Sequence, residues 1–264
     1  MVDRLFSDER LARLYDRLCA GREDFGFYLP LVLSAESVLD VGCGTGELLR
    51  RARGAGHTGR LCGLDPAEEM LGRAARHRTD IEWVLGDLAA VGWDREFDLV
   101  VMTGHAFQVL VTDDDVRTAL AAMRSALTEG GRLVFETRNP SAREWERWTP
   151  EHVVEAADDT GAVVRLRSEA ETPVEGGLVS FTQTFTSPAW DGPRVSRSTL
   201  RFLDAPALED LLTDAGLAIT EQYGDWSGGP LTESSPEIIT VAARACAPGR
   251  SGASARAVRR RGRV

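Results

Sequence analysis

The sequence predicts an α/β fold, a doubly wound, mostly parallel sheet of seven strands with an antiparallel β insert after strand five. Three observations carry this. Apolar strand-like runs alternate with helical stripes from residue 38 to 137, the order that builds a parallel sheet with right-handed crossovers. Three consecutive segments between 163 and 202 alternate polar and apolar positions with no helix between them. A helical pattern and two further strand-like runs then close the sheet after residue 205.

The elements follow in chain order. Leu5-Phe6, Leu11, Leu14, Tyr15 and Leu18 form one apolar helical stripe, and Asp24 to Pro30 leads toward the first strand, Val38 to Val41. Glycines at 42, 44 and 46 make a turn, and a helix opens at Glu47. Arg60 to Leu64 is the second strand. Asp65-Pro66 suits the cap and first position of a helix over Ala67 to Arg76. Ile81 to Gly86 and Phe97 to Met102 are the third and fourth strands. Val116, Leu120, Met123 and Leu127 share one face of a helix over 113 to 127, and Gly130 to Glu136 enters the fifth strand. Val163–Ala170, Leu178–Thr186 and Arg194–Phe202 are the insert strands, with turns at Gly176-Gly177 and Asp191-Gly192-Pro193. Ala205-Pro206 starts a helix ending near Gly216, and Leu217–Tyr223 and Ile238–Ala243 are the last two strands.

This pattern divides the chain into an N-terminal helical lid (1–36), a core (37–140), the insert (141–204), the end of the core (205–243) and a tail (244–264). The chain has 264 residues and a net charge of −10. The tail carries seven arginines and no acid, so the remainder stands at −17. Such an acidic body argues against a nucleic-acid partner, which needs a basic footprint. The tail has almost no bulky apolar residues and is expected to be disordered. No apolar run approaches 18 residues, so no membrane span is expected, and the N-terminus lacks the pattern of a signal peptide. Four cysteines (19, 43, 62, 246) show no metal or redox spacing and fit reduced thiols in the cytoplasm. There is no lysine, and Asn139 is the only asparagine, a bias toward GC-rich codons that hints at an actinobacterial source.

The run Ser37-Val-Leu-Asp-Val-Gly-Cys-Gly-Thr-Gly46 is the most informative stretch. A glycine turn between strand and helix lets a ligand approach the backbone closely. A dinucleotide fingerprint would need its third glycine one position later, where Glu47 stands. An acid there is awkward for a pyrophosphate. The run Asp40-Val-Gly42-Cys-Gly44-Thr-Gly46 instead resembles motif I of the class I S-adenosylmethionine (SAM) dependent methyltransferases, whose fold is the Rossmann-like sheet described above. Asp65 closes the second strand, where an acid binds ribose hydroxyls, and Gly86-Asp87-Leu88 follows the third, where an acid and the next backbone group hold adenine. Each also has a plain reading as a helix cap or strand-ending turn. Together the resemblance implies SAM as cofactor, held by Tyr15, Asp40, Gly42, Cys43, Gly44, Gly46, Asp65, Pro66, Met70, Gly86, Asp87, Leu88 and Thr103. The insert is similar to that of sugar N,N-dimethyltransferases and, more loosely, glycine N-methyltransferase, where such a segment covers the acceptor or makes a dimer contact.

These features imply an enzyme that transfers methyl from SAM to an oxygen or nitrogen of a small molecule, in specialised metabolism. His105, after the fourth strand, is a candidate catalytic base or a residue that shapes the pocket. Tyr28, Phe107, Arg138, Asn139 and Trp145 are candidate acceptor contacts, although the aromatic ones suit packing equally. Thr112-Asp113-Asp114-Asp115 suits helix capping better than a metal, and no metal is expected. Asn139-Pro140 departs from the Asn-Pro-Pro-Tyr motif of other N-methyltransferases in position and in its missing second proline. A peptide acceptor, a non-catalytic SAM-binding module, a nicotinamide-dependent oxidoreductase and a homodimer are the alternatives that the sequence leaves open.

Overall fold

A computed structural model describes residues 2–245. The tail from 246 onward, with Cys246, lies outside the described residues. Two short helices, α1 (Arg4–Ser7) and α2 (Glu9–Leu18), open the chain, and α3 (Asp24–Ser34) follows. The predicted N-terminal stripe is therefore split. Asp8 breaks it and caps α2 through the Arg10 N–H at 3.0 Å. The lead-in at Asp24 to Pro30 is itself helical, because Phe25, Tyr28 and Val32 bury at helical spacing.

The core then runs β1 (Ser37–Val41), α4 (Glu47–Gly54), β2 (Arg60–Asp65), α5 (Glu68–His77), β3 (Glu82–Leu85), β4 (Phe97–Met102), α6 (Asp113–Ala126) and β5 (Leu127–Arg138). The insert contributes β6 (Val153–Ala157), β7 (Val163–Ala170), β8 (Leu178–Thr186) and β9 (Arg194–Arg201). Helix α7 (Ala205–Asp214), β10 (Leu217–Tyr223) and β11 (Glu237–Arg244) complete the fold. The sheet order is β10-β11-β5-β4-β1-β2-β3. Strands β1 to β5 pair in parallel, and β11 lies antiparallel to both its neighbours. The insert is a separate antiparallel sheet in the order β6-β7-β8-β9. Its first strand, β6, escapes sequence reading because four of its five residues are exposed and no burial rhythm marks it.

The central strands bury both faces, which is why they read as unbroken apolar runs. Leu39, Val100 and Phe135 point to the side covered by α6 and α7, while Val38, Val101 and Val134 point to α3 and α4. A third cluster joins α1 and α2 to the insert through Leu5, Leu11, Leu14, Val164, Leu166 and Phe185. Polar ties reinforce that join. The Leu5 N–H donates to Ser196 Oγ at 3.0 Å, the Ser198 hydroxyl donates to Asp3 at 2.5 Å, and Arg194 pairs with Asp8. Thr112 and Asp115 form a reciprocal capping box at the start of α6, so this acidic run serves the helix. Among the described residues no helix is long and apolar enough to cross a membrane.

Two glycine substitutions should act in opposite directions. Gly26 lies inside α3 with nothing within 4 Å of a Cβ. Gly26→Ala should stabilise by about 0.5–1 kcal/mol, a rise of roughly 2–4 °C in Tm. At Gly46, φ is +70° and a Cβ would sit 2.2 Å from the Trp83 ring. Gly46→Ala should lower Tm by more than Gly26→Ala raises it, measured by thermal unfolding of the ligand-free proteins.

Candidate active site

The C-terminal ends of β1, β2, β3 and β4 meet along one edge of the sheet, the place where an open parallel sheet takes its ligands. The glycine turn lies at its centre. Gly42, Gly44 and Gly46 have φ of +71°, +56° and +70°, a left-handed course that other residues adopt only with strain. The Gly42 and Cys43 N–H groups donate to the Leu64 carbonyl at 2.8 and 3.1 Å. Asp65 takes the next bond, since its Oδ2 accepts from the Gly44 N–H at 2.7 Å and its Oδ1 from the Ala67 N–H at 2.8 Å. Burial pushes this carboxyl up, and the two backbone bonds hold it back.

Asp40 sits beneath the turn. It is almost fully buried, and its Oδ1 has no hydrogen-bond partner among the described residues. Burial pushes its pKa up to about 8. The Arg22 guanidinium opposes this, while Asp65, Glu136 and Asp24 reinforce it. Arg22 pairs with Asp24 and reaches Thr103 Oγ1 at 3.3 Å. It also fixes Gly104, where φ is +70° and a Cβ would lie 3.1 Å from the guanidinium. Tyr15, Arg22, Asp40, Cys43 and Thr103 line a small recess here. The Tyr15 phenol is buried and pushed up for that reason.

The recess adjoins a cleft of about 1200 Å³. Tyr15, Gly42, Gly44, Asp65, Pro66 and Met70 form its floor, and Gly86, Asp87, Leu88 and Thr103 one side. Asp87 Oδ1 caps the Ala89 and Ala90 N–H groups, both at 3.0 Å. Gly46 lies off the cleft wall, against Trp83. The opposite wall comes from the insert, including Phe181, Gln183 and Thr199, and from Val2 to Phe6 of the N-terminal segment.

Of the residues singled out for the acceptor, His105 and Arg138 line the cleft. Four others sit elsewhere. Tyr28 is fully buried and its hydroxyl donates to Glu136. Phe107 stacks on Phe135 with ring centroids 4.2 Å apart. The Asn139 amide donates to the Ser235 carbonyl at 2.9 Å and ties down the loop before β11. Trp145 packs edge-on against Phe202.

His105 is held from three directions. Its backbone is left-handed, with φ +60°. Its N–H donates to Glu136 Oε1 at 2.7 Å, and its Nε2 meets Glu237 Oε2 at 2.9 Å. Burial lowers the imidazole to about 4 and raises the Glu237 carboxyl to about 8. Arg22, Glu136 and Glu237 were not picked out from sequence. The two acids do leave a trace there, as charged residues at the edges of apolar runs, Val134-Phe135-Glu136 and Glu237-Ile238-Ile239. Among the described residues no cluster of three or more His, Cys, Asp or Glu side chains is arranged to hold a metal.

Comparison with known proteins agrees with this geometry. Residues 38–131 match a family described as a methyltransferase domain. The malonyl-[acyl-carrier protein] O-methyltransferase of Hahella chejuensis is 31% identical over 132 residues, which cover 48% of this chain and 46% of that protein, so the chain spans about half the length of that relative. The CcbJ methyltransferase of Streptomyces caelestis has the same fold, with a TM-score of 0.72, 20% identity and coverage of 91% of this chain and 99% of that one. An amino pentose methyltransferase of Micromonospora echinaspora, solved with SAM bound, is 25% identical with a TM-score of 0.59 and coverage of 90% and 91%. Residues 38–131 thus resemble a methyltransferase domain, and the chain has the fold of the class I SAM-dependent methyltransferases. Solved proteins of this fold that it is similar to include a sugar N-methyltransferase and an amino pentose methyltransferase.

The protonation of Asp40 has a measurable consequence. Folded, this carboxyl keeps its proton up to about pH 8, whereas the unfolded chain loses it near 3.8. The folded state therefore binds more protons over that window, and Asp40 costs stability progressively as pH rises through it. Asp40→Asn removes the cost. The Tm difference between the variant and the wild type, measured without ligand at pH 5, 6.5 and 8, should widen in favour of the variant as pH rises.

Proposed function

We propose that the chain transfers a methyl group from SAM to an oxygen or nitrogen atom of a small molecule held beneath the insert, with residues 141–204 serving as acceptor cap and 1–36 as lid. The observation that carries this reading is the cleft floored by the glycine turn and walled by the insert, with His105 among its lining residues. The donor set fits SAM. Asp40 offers an unpartnered buried oxygen beside the turn, in a recess that also holds the Arg22 guanidinium. That pairing suits a group carrying an ammonium and a carboxylate together. Asp65 has one lone pair of each oxygen committed to the backbone, and the remaining ones suit a ribose diol. Asp87 caps through Oδ1 alone, which leaves Oδ2 for the adenine amino group.

When bound, SAM supplies an electrophilic methyl whose bond to sulfur breaks as the bond to the acceptor forms, the electron pair staying on sulfur in S-adenosylhomocysteine. The chain's own contribution is alignment and exclusion of water. The N-terminal segment and the insert close over the cleft edge and perform the second task. We assign the acceptor to specialised metabolism and the protein to the cytoplasm. A peptide acceptor and a non-catalytic SAM-binding module remain as outcomes of an acceptor screen, methylated peptide marking the first and binding without turnover the second.

Thermal unfolding with S-adenosylhomocysteine, SAM or NAD tests the cofactor. The first two should stabilise the protein by about 2.7 kcal/mol at roughly 100 times their dissociation constant, and NAD should not. Asp65→Ala should raise the SAM dissociation constant by about 10- to 150-fold, the loss of charged hydrogen bonds worth about 1.5–3 kcal/mol. Unchanged affinity by calorimetry would remove Asp65 from the site.

A further inference from the structure

One wall of the cleft is the open edge of a sheet. Strand β9 is the last strand of the insert sheet and pairs with β8 on one side only. In an antiparallel pair, alternate residues turn their N–H and C=O groups toward the partner strand and the others turn them away. Three hydrogen bonds fix which residues of β9 do which. The Ser180 carbonyl accepts from the Glu171 N–H at 2.7 Å, so Ser180 faces β7, and Thr199, which stands opposite Ser180, is not bonded to β8. The Phe202 N–H donates to the Gly177 carbonyl at 2.7 Å, on the β8 side. The Arg201 carbonyl accepts from the buried Gln108 amide at 3.1 Å, on the far side. Arg197, Thr199 and Arg201 therefore direct their backbone polar groups away from the sheet. Among the described residues, no backbone group bonds Arg197 or Thr199 on that side.

The cleft runs along this edge. Arg197, Ser198, Thr199 and Leu200 all line it. Successive side chains of a strand point to opposite faces, so a cavity lined by both sets wraps the edge between them. Two ties bound the open stretch, Gln108 at the Arg201 end and the Asp8–Arg194 pair at the other. An unpaired strand edge is a template for another extended chain. The opposite edge of the same sheet, β6, contributes nothing to the cleft.

We propose that the methyl acceptor is the N-terminal amine of a short peptide, which adds to β9 as a further strand of the insert sheet. This rests on the methyl-transfer reading and narrows its acceptor. Every pairing within the insert is antiparallel. A segment added in the same sense runs against β9, so its N-terminus lies at the Arg201 end. There Gln108 holds the strand, one turn beyond His105 in the cleft wall. The charge of the cleft agrees with an amine. Asp87, Asp114, Asp115 and Glu171 line it, against the guanidiniums of Arg138 and Arg197. An excess of carboxyls draws in an ammonium terminus and disfavours a carboxylate one. A peptide α-amine has a pKa of about 7.7–8.0 and is substantially neutral near pH 8 without a dedicated base. Its lone pair forms the new N–C bond as the methyl–sulfur bond breaks, and that electron pair stays on sulfur. The methylated ammonium then releases its extra proton to water.

Full-length protein, SAM and a pool of tetrapeptide amides varied at the N-terminal residue test this, with products read by tandem mass spectrometry. The methyl should sit on the N-terminal amine, and the N-acetylated pool should stay unmethylated. Esters placed singly along the best peptide remove one N–H at a time. Alternate positions should raise KM about 3- to 10-fold and the positions between them should leave it unchanged, as bonding to one edge requires. Thr199→Pro removes an N–H that faces the cleft and spares the ladder to β8. This variant should keep its thermal shift with S-adenosylhomocysteine and lose about tenfold in kcat/KM for the peptide. Wild-type activity of Thr199→Pro on the peptide, an ester series with no alternation, or no methylated peptide while S-adenosylhomocysteine still stabilises the protein overturns the proposal. If Thr199→Pro does not fold, the ester series on the wild type decides alone. Failure of S-adenosylhomocysteine to stabilise the wild type would instead overturn the methyl-transfer reading beneath it.

Discussion

The Asp65 carboxylate is the interaction on which the site depends. One oxygen holds the Gly44 N–H in the turn after β1, and the other holds the Ala67 N–H at the entrance to α5. Two neighbouring strand ends are thereby locked to a single planar group. The left-handed turn, Met70 against Gly44 and the floor of the cleft all lie beside that lock. Hydrogen bonds from a charged group are among the stronger ones available to a protein. Here they offset part of the cost of burying the charge, and the residue that shapes the floor keeps its remaining lone pairs free of protein partners among the described residues.

Around this lock the sheet edge gathers acids with too few cations to balance them. Asp24, Asp40, Asp65, Glu136 and Glu237 are all buried, while Arg22 and Arg138 are the guanidiniums among them. Desolvation answers the imbalance by keeping protons on Asp40 and Glu237, both raised to about 8. A site that holds protons because it lacks positive charge is poised for a cation. SAM carries its positive charge on sulfur and on its ammonium group. On the function proposed above, the shortage of cations that makes the ligand-free fold costly would favour the sulfonium over the thioether product.

The parts of this arrangement that were legible in the sequence are the local ones. The glycine turn, Asp65 after β2 and Asp87 after β3 announce themselves because strand, turn and helix start are contiguous and each residue type answers a local backbone need. The succession of strands and helices followed for the same reason. The parts that were not legible are built from distant segments. Arg22 matters only because α3 carries it against Thr103, 81 residues away in sequence. Glu237 meets His105 across 132 residues. Tyr28 and Phe107 read as pocket aromatics, yet they turn inward, where Glu136 satisfies the one hydroxyl and Phe135 stacks on the other ring. An apolar ring with or without a hydroxyl looks the same in sequence whether it faces core or cleft.

The insert wall of the cleft obeys a different logic from its floor, and β8 shows why. Phe181, Gln183 and Phe185 alternate along the strand and so share one face. At one end Phe185 is buried against Leu5, Leu11 and Leu14 of the N-terminal helices. At the other end Phe181 and Gln183 reach the cleft wall. A single sheet face thus packs the N-terminal helices and lines the cleft. Its residues must satisfy packing first, so they carry no motif of their own. Substitutions that reshape this wall will be limited by what α1 and α2 tolerate, and changes in α1 and α2 will be felt at the cleft. The floor of the cleft rests on backbone geometry that allows little variation, whereas its insert wall rests on side-chain packing that can change by volume-conserving steps without unfolding the core.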